Sequence, residues 1–253
     1  MLLRLGKDLL RRLRRAFTAA RVEHEREVTV VLTSCGREDL LRQTIESFLQ
    51  FNTYPIKELI LIEDSGATGV HEHYKRSVPF PVRTIYNERN LGQIRSVDVA
   101  YSFVSTPYIF HCEDDWEFFK PGFIERSMRI LEADPKVVTV WLRAHDDTGG
   151  HPIEPERRGH YRYMALDYGN CWNGFTFNPG LRRTRDYARF APYSDLEVLF
   201  PKGEKREMLL AEADLSMYHK LFGYRGAITL DPDGYVRHIG AGRHVKEAWE
   251  ERA

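Results

Sequence analysis

Four short apolar runs in the first half of the chain alternate with segments of helical periodicity, and this order constrains the fold most strongly. The runs occupy residues 28–33, 58–62, 82–86 and 108–112. The second run has no polar residue after its first position, which is typical of a strand that is buried on both faces. The order therefore predicts an α/β fold with a mostly parallel central sheet flanked by helices.

The fourth run ends in three consecutive carboxylates, Glu113, Asp114 and Asp115. Because side chains alternate along a strand, Glu113 and Asp115 are expected on one face and Asp114 on the other. Such oxygen ligands suit Mg²⁺ or Mn²⁺, which proteins often bind through one or two carboxylates together with substrate phosphates. The triplet indicates either this kind of site or a solvated acidic turn.

Polar residues also follow the other three runs, at residues 33–37, at Asp64 and at residues 90–95. Open α/β sheets bind ligands beyond the carboxyl ends of their strands, so these loops are expected to meet the acidic triplet at one edge. The sequence contains neither G-x-G-x-x-G nor G-x-x-x-x-G-K-[ST], and it therefore gives no support for a dinucleotide fold or a P-loop.

The N-terminal segment differs in charge from the rest of the chain, whose total formal charge is zero. Residues 1–21 contain seven basic residues and one acidic residue, and leucines recur among them at helical spacing. We predict a basic amphipathic helix within residues 1–24, separate from a domain at residues 25–253. Through residues 1–22 the helix would contact either a membrane surface or protein, including a second copy of the chain.

Cysteine usage and hydropathy bear on the compartment. The three cysteines form no C-x-x-C pair, which argues against a disulfide framework or a zinc site and favours a reducing compartment. No apolar stretch approaches the ~18–20 residues of a membrane span, and no signal-peptide core is present. The expected location is the cytoplasm, at the inner face of the membrane if the helix binds lipid. Nucleic-acid binding is not expected, because the only basic run lies in that helix.

The motifs in this order resemble the family-2 glycosyltransferases of the GT-A fold, in which the acidic triplet is a D-x-D-type motif. The resemblance covers roughly residues 27–240. Residues 169–180 are similar to the acceptor-side segment, and residues 212–215 to the segment that carries the catalytic base. The resemblance implies a single GT-A domain, with a nucleotide-binding half at residues 25–120 and an acceptor-binding half at residues 121–253.

The resemblance also implies an inverting transfer from a nucleotide-sugar donor to a glycan or lipid-linked acceptor in cell-surface glycan synthesis, with Mn²⁺ or Mg²⁺ as cofactor. The implied nucleotide-binding residues are Thr33, Arg37, Asp64, Gly92, Arg95, Glu113 and Asp114. The implied metal ligands are Asp115, Glu113 and His238, and the implied acceptor-binding residues are Trp172, Asn173 and Gly174.

The catalytic base of an inverting reaction must lie opposite the leaving group, away from the metal ligands. Glu212 is the first choice and Asp214 the second, although Asp214 could instead be a carboxylate that stabilises a helix N-terminus. The sequence departs from the family pattern at Glu113, where Asp is usual, and at Glu212, where most members have the Asp of an E-D pair.

Two other functions were weighed against this one. A non-catalytic nucleotide- or glycan-binding subunit would have no need of Glu113, Asp115 and Glu212. A sugar-phosphate nucleotidyltransferase would need an early glycine-rich loop, which does not follow the first apolar run. Downstream, Arg182, Arg183 and Arg185 would form either a solvated basic edge or a site for an anionic acceptor.

Overall fold

The computed structural model of the chain describes residues 26–166, 168, 173–196 and 209–243. The predicted N-terminal helix and Trp172 lie outside these residues. The strands are β1 (Val28–Ser34), β2 (Glu58–Glu63), β3 (Val82–Tyr86), β4 (Tyr108–Glu113), β5 (Trp116–Phe118), β6 (Val137–Trp141), β7 (Tyr161–Tyr163), β8 (Gly180–Arg183), β9 (Arg225–Thr229) and β10 (Val236–His238). The helices are α1 (Glu38–Phe51), α2 (Tyr74–Ser77), α3 (Gln93–Tyr101), α4 (Phe123–Ala133), α5 (Thr184–Phe190) and α6 (Leu209–Leu221).

The central sheet has five strands in the order β3-β2-β1-β4-β8. The pairs β3–β2, β2–β1 and β1–β4 are parallel, whereas β8 is antiparallel to β4. This arrangement confirms the predicted mostly parallel sheet. Because β1, β2 and β4 are neighbours that run in one direction, their carboxyl ends and the loops that follow them meet at one edge, here called the rim.

Residues on the two faces of the central strands enter two different hydrophobic clusters. Leu59 and Leu61 of β2 belong to the cluster beneath α1 and α4, whereas Ile60 and Ile62 belong to the cluster beneath α3. All four side chains are buried. Burial on both faces is the reason why this strand is apolar at every interior position.

The acidic stretch changes direction after Glu113. The sequence indicated one strand from Tyr108 towards Phe118, but β4 ends at Glu113, and β5 pairs antiparallel with β10 in a separate small sheet. Asp114 and Asp115 lie in the turn between the two strands. The predicted alternation of faces therefore does not apply beyond Glu113, and Asp114 and Asp115 both contact the loop after β1.

The second half of the chain contains more regular structure than its sequence suggested. The sequence of residues 145–169 is polar, rich in Gly, Pro, Arg and His and without a clear period, which predicts long loops. The structure instead has the short strand β7 there, which pairs with β9 in the three-stranded sheet β6-β9-β7. A three-residue strand is too short to display a period. No helix in the described ranges is long and apolar enough to cross a membrane.

Candidate functional site

Arg37, the residue before α1, joins the first loop of the rim to the acidic triplet. Its guanidinium forms an ion pair with Asp114 and donates to Asp115 Oδ2 from Nη1 at 2.8 Å. Asp114 is fully buried and also accepts from Ser34 Oγ at 3.1 Å and from the Cys35 amide at 3.3 Å. Burial raises the pKa of Asp114 to about 6, and the charge of Arg37 opposes that rise. Asp114 thus holds the loop that carries Arg37.

Asp115 and His238 meet at the end of the rim. His238 Nε2 lies 3.2 Å from Asp115 Oδ2, and the Ile239 amide donates to the backbone carbonyl of Asp115 at 2.8 Å. Burial would raise the pKa of Asp115, but the hydrogen bond with His238 and the charge of Arg37 lower it below its usual value. A carboxylate that stays ionised therefore lies beside an imidazole.

Glu113 faces Glu212, which comes from the other end of the chain. Burial raises the pKa of Glu113 well above its usual value, and the negative charges of Asp115 and Glu212 raise it further. The Gln93 side-chain amide donates to one oxygen of Glu113, and Trp116 Nε1 donates to the other at 3.4 Å. The predicted base is therefore close enough to the acidic triplet for the two carboxylates to interact.

Glu212 lies in the first turn of α6 and is oriented by the segment before β8. Its Oε1 accepts a hydrogen bond from Thr176 Oγ1 at 3.1 Å and another from the Phe177 amide. Burial raises the pKa of Glu212 above its usual value, and these hydrogen bonds oppose the rise. Asp214 lies two residues further along the same helix, where it cannot share the direction of Glu212.

Asp64 orders the loop between β3 and α3. Its Oδ1 accepts from Asn87 Nδ2 at 2.6 Å and from the Leu91 amide at 2.8 Å, and its Oδ2 accepts from the Gly92 amide at 2.9 Å. Gly92 precedes α3 and has a φ of 84°, which a residue with a side chain rarely adopts. The predicted nucleoside-binding carboxylate thus also fixes the backbone beside it.

Glu63, the last residue of β2, joins two loops of the rim. It accepts from the amides of Gly36 at 2.8 Å and Ser65 at 3.0 Å, and His71 Nε2 lies 2.7 Å from its second oxygen. Burial opposes the ionised form, yet these hydrogen bonds lower the pKa of Glu63 to about 2. The loops after β1 and β2 are therefore held together by a buried, ionised carboxylate.

The remaining predicted residues lie at different depths. Thr33 is partly exposed and pairs with Glu113 in the sheet register, and Arg95 is exposed in the first turn of α3. Asn173 is fully buried, with hydrogen bonds to Ser216 and to the Tyr224 carbonyl. Gly174 is also buried and accepts from Trp141 Nε1 at 2.6 Å. The acceptor-binding role of Asn173 and Gly174 stays a prediction. Both residues lie inside the protein.

A family model for glycosyl transferase family 2 matches residues 29–188, more than half of the chain. The chain belongs to this family. The match begins in β1 and ends in α5, so it includes the loops after β1, β2 and β3 and the acidic triplet, whereas Glu212 and His238 lie beyond it. No sequence among the curated proteins matches the chain.

Solved structures of glycosyltransferases have the same fold as this family-2 chain. TarS of S. aureus superposes with a TM-score of 0.54 at 12% identity, over 83% of this chain and 59% of the TarS chain. The mannosyltransferase PcManGT of Pyrobaculum calidifontis, solved with GDP-Man and Mn²⁺, gives 0.57 at 15% identity, over 94% and 66%. TarS with UDP-GlcNAc gives 0.54 at 10% identity, over 86% and 62%. The present chain thus spans less than two thirds of each, and the likeness establishes the GT-A fold.

The donor atoms at the rim of this family-2 chain fit a divalent cation with few protein ligands. Asp115 offers a carboxylate that is favoured in its ionised form, and His238 offers an imidazole nitrogen 3.2 Å from it. The described ranges contain no cluster of three or more His, Cys, Asp or Glu residues that could enclose a metal ion. Two protein ligands suit Mg²⁺ or Mn²⁺, because these ions commonly complete their coordination with phosphate oxygens and water.

Sequence reasoning did not assign roles to three residues that border the site. The Trp116 ring lies 5.2 Å from the His238 ring, and the guanidinium of Arg143 lies 5.1 Å above the Trp116 ring. Gln93 donates to Glu113. Trp116, Arg143 and Gln93 lie on different elements that only the fold brings together, and no motif in the sequence connects them.

Proposed function

We propose that the protein is an inverting, metal-dependent glycosyltransferase that moves a sugar from a nucleotide-sugar donor to a hydroxyl group. The proposal rests mainly on one observation: Glu212 lies within electrostatic reach of Glu113, at the rim where Arg37, Asp115 and His238 also meet. The candidate proton acceptor and the candidate diphosphate-binding residues are therefore near one another.

The donor side of the site consists of the loops at the rim. Arg37 is a permanent cation next to Asp115, and Asp64 and Glu63 order the loops on which a nucleoside would lie. Asp115 and His238 would hold Mn²⁺ or Mg²⁺, which when bound acts as a Lewis acid on the diphosphate oxygens. The structures of PcManGT with GDP-Man and of TarS with UDP-GlcNAc support a nucleotide-sugar donor for this fold.

The acceptor side of the site is formed by Glu212. In the transfer step the acceptor oxygen attacks the anomeric carbon, and the bond from that carbon to the diphosphate oxygen breaks. The electron pair leaves with the nucleoside diphosphate, and the acceptor proton passes to the Glu212 carboxylate. A positioned carboxylate typically accelerates such a step by ~10²–10⁴-fold. The hydrogen bonds from Thr176 and Phe177 fix the direction of that carboxylate.

The raised pKa of Glu212 suits this role, because a general base is most effective when its pKa lies near the working pH. Inversion follows in this scheme because the acceptor oxygen attacks the anomeric carbon from the side opposite to the bond that breaks. We place the reaction in the synthesis of a cell-surface glycan, with a glycan or lipid-linked acceptor. Membrane contact through residues 1–22 is part of the same proposal, and flotation of the full chain against a chain that lacks them tests it.

The donor proposal is tested by thermal unfolding with UDP-, GDP-, dTDP- and CMP-linked sugars, each with and without Mn²⁺. A ligand at 100 times its Kd adds about 2.7 kcal/mol to the free energy of unfolding. We expect a stabilising shift for one nucleotide class, only with Mn²⁺, and its loss in Asp115→Asn. Asp233→Asn, which changes an exposed carboxylate outside the site, is the matched control. The absence of a shift with all four classes would contradict the proposal.

A further inference from the structure

Arg182 is a buried cation whose direct partners are all neutral. Its side chain lies in β8 at 2% exposure, between the rings of Phe175 and Phe177 at 5.3 and 5.2 Å. Nη1 donates to Tyr101 Oη at 3.2 Å, Nη2 donates to the Thr176 carbonyl at 2.5 Å, and Nε has no hydrogen-bond partner. Within the described ranges no carboxylate forms an ion pair with it. Of the two sequence alternatives, the solvated edge is therefore wrong for Arg182.

A buried charge without a direct counter-ion is costly, so its retention calls for a compensating interaction. The two histidines near Arg182 cannot supply one, because an imidazole is either neutral or positively charged. Burial lowers the pKa of His111 well below its usual value and that of His219 to about 4, and Arg182 lowers both further. Both rings are therefore neutral at neutral pH. Glu212 is the nearby group of opposite charge on which Arg182 acts.

Thr176 connects Arg182 to Glu212 directly. Its carbonyl accepts from Arg182, its hydroxyl donates to Glu212 Oε1 at 3.1 Å, and the next amide, that of Phe177, donates to the same oxygen. The guanidinium thus holds one side of a peptide unit whose other side holds the carboxylate. A shift of Arg182 would move both donors that orient Glu212.

We propose that Arg182 is a positioning residue for Glu212: through the peptide unit between Thr176 and Phe177 it fixes the direction of the carboxylate, and its buried charge favours the ionised form. The proposal rests on the proposed function only in treating Glu212 as the base. A neutral side chain of the same size would fill the space between the two phenylalanine rings but would leave Glu212 next to the negative charge of Glu113.

Several charged or titratable groups face Glu212 and Arg182 from the surrounding elements. Those that act on them are Glu113 and His111 of β4, Arg143 after β6, Tyr101 of α3, Tyr193 after α5 and His219 of α6. Of these, only Arg143 is a second cation that favours ionised Glu212, and it also forms an ion pair with Asp147. Removal of Arg182 is therefore expected to have an effect that Arg143 does not cancel.

The test measures the ionisation of Glu212 without any substrate. The full chain is labelled with ¹³C at the glutamate side-chain carboxyl, and the resonance that disappears in Glu212→Gln is followed against pH. An opposite charge close to a carboxyl typically changes its pKa by about one to three pH units. We expect the midpoint to rise by roughly one pH unit in Arg182→Met and to stay within a few tenths in Arg182→Lys.

Arg183 is the matched control, because it is a neighbouring buried arginine of the same strand that pairs with Asp186 and not with the site. Arg183→Met should lower stability and leave the Glu212 midpoint unchanged. An unchanged midpoint in Arg182→Met would overturn the proposal, as would an equal change in Arg183→Met. If Arg182→Met and Arg182→Gln both fail to fold while Arg182→Lys folds, Arg182 serves the fold alone and the proposal is wrong.

Failure of the proposed role of Arg182 can be distinguished from failure of the proposed function. A raised midpoint in Arg182→Met, with no transfer from any of the four nucleotide-sugar classes, would support the coupling and contradict the transferase proposal. The second case is a transfer reaction that depends on Glu212. If the acidic limb of its pH–rate profile lies at the same pH in Arg182→Met as in the wild type, only the role of Arg182 is contradicted.

Discussion

Replacement of Arg37 by Met tests whether the rim is held by charge. Asp114 is fully buried, and its pKa of about 6 is already above the usual 3.8 while Arg37 is present. Without the guanidinium the pKa of Asp114 must rise further, because burial is then opposed by the donors from Ser34 and Cys35 and by the charge of Arg243 alone among the cations described beside it. Folded Arg37→Met is therefore expected to keep Asp114 protonated well above pH 6.

The size of the effect follows from proton linkage. A raised pKa in the folded state means that stability is lost as pH rises from the unfolded pKa to the folded one. Above pH 6 the wild type has passed this range, whereas Arg37→Met continues to lose about 1.4 kcal/mol per pH unit. The difference in unfolding free energy between the wild type and the variant should therefore be about 3 kcal/mol larger at pH 8 than at pH 5.5.

The assay is urea unfolding of both proteins at pH 5.5 and pH 8. Arg26→Met is the matched control, because Arg26 forms an exposed ion pair with Glu132 that should contribute less than about 1 kcal/mol at either pH. In Arg37→Met combined with Asp114→Asn the added pH dependence should disappear. An equal stability loss at both pH values would show that Arg37 acts through packing and not through the ionisation of Asp114.

Two further variants test the acceptor side and the metal side of the site. Glu212→Gln retains the oxygen that accepts from Thr176 and Phe177, so it should fold normally and lose ~10²–10⁴-fold in turnover, whereas Asp214→Asn should retain most activity. Near wild-type turnover of Glu212→Gln would refute the assignment of Glu212 as the base. In Gly240→Ala the added carbon would overlap the Asp115 side chain, so the Mn²⁺-dependent stabilisation by the nucleotide sugar in thermal unfolding should become smaller. It should persist in the exposed control Ala241→Ser, and equal stabilisation of the two variants would contradict the role of Asp115.

The first half of the chain was predictable because local sequence determines most of its structure. Apolar strands identified the parallel sheet, and parallel strands necessarily place the loops after them at one edge. The ends of β1, β2 and β3 lie within one residue of their predicted positions. The break between Asp114 and Trp116 was not predictable, because it depends on the pairing of β5 with β10, which lies far away in the sequence.

The second half was less predictable because its signals are short or ambiguous. Strands β7 and β8 have three and four residues, too few for a recognisable period. For Arg182 and Arg183 the sequence offered a solvated edge or an anionic-acceptor site, since arginine is rarely buried, but each is held by hydrogen bonds to backbone carbonyls inside the protein. Charge alone therefore gave the wrong environment for the residue that lies behind the proposed base.

The packing of α6 also changes how effects at Asn173 should be interpreted. Asn173 accepts a hydrogen bond from Ser216, which lies one turn after Glu212 on the same helix, and it donates to the Tyr224 carbonyl. Loss of Asn173 would loosen α6 and therefore displace Glu212, even if no acceptor ever contacted the asparagine. Because the amide is fully buried and its partners are protein groups, reduced turnover of an Asn173 variant would by itself be no evidence for acceptor binding. Only an altered preference among acceptors, at unchanged stability, would assign that role.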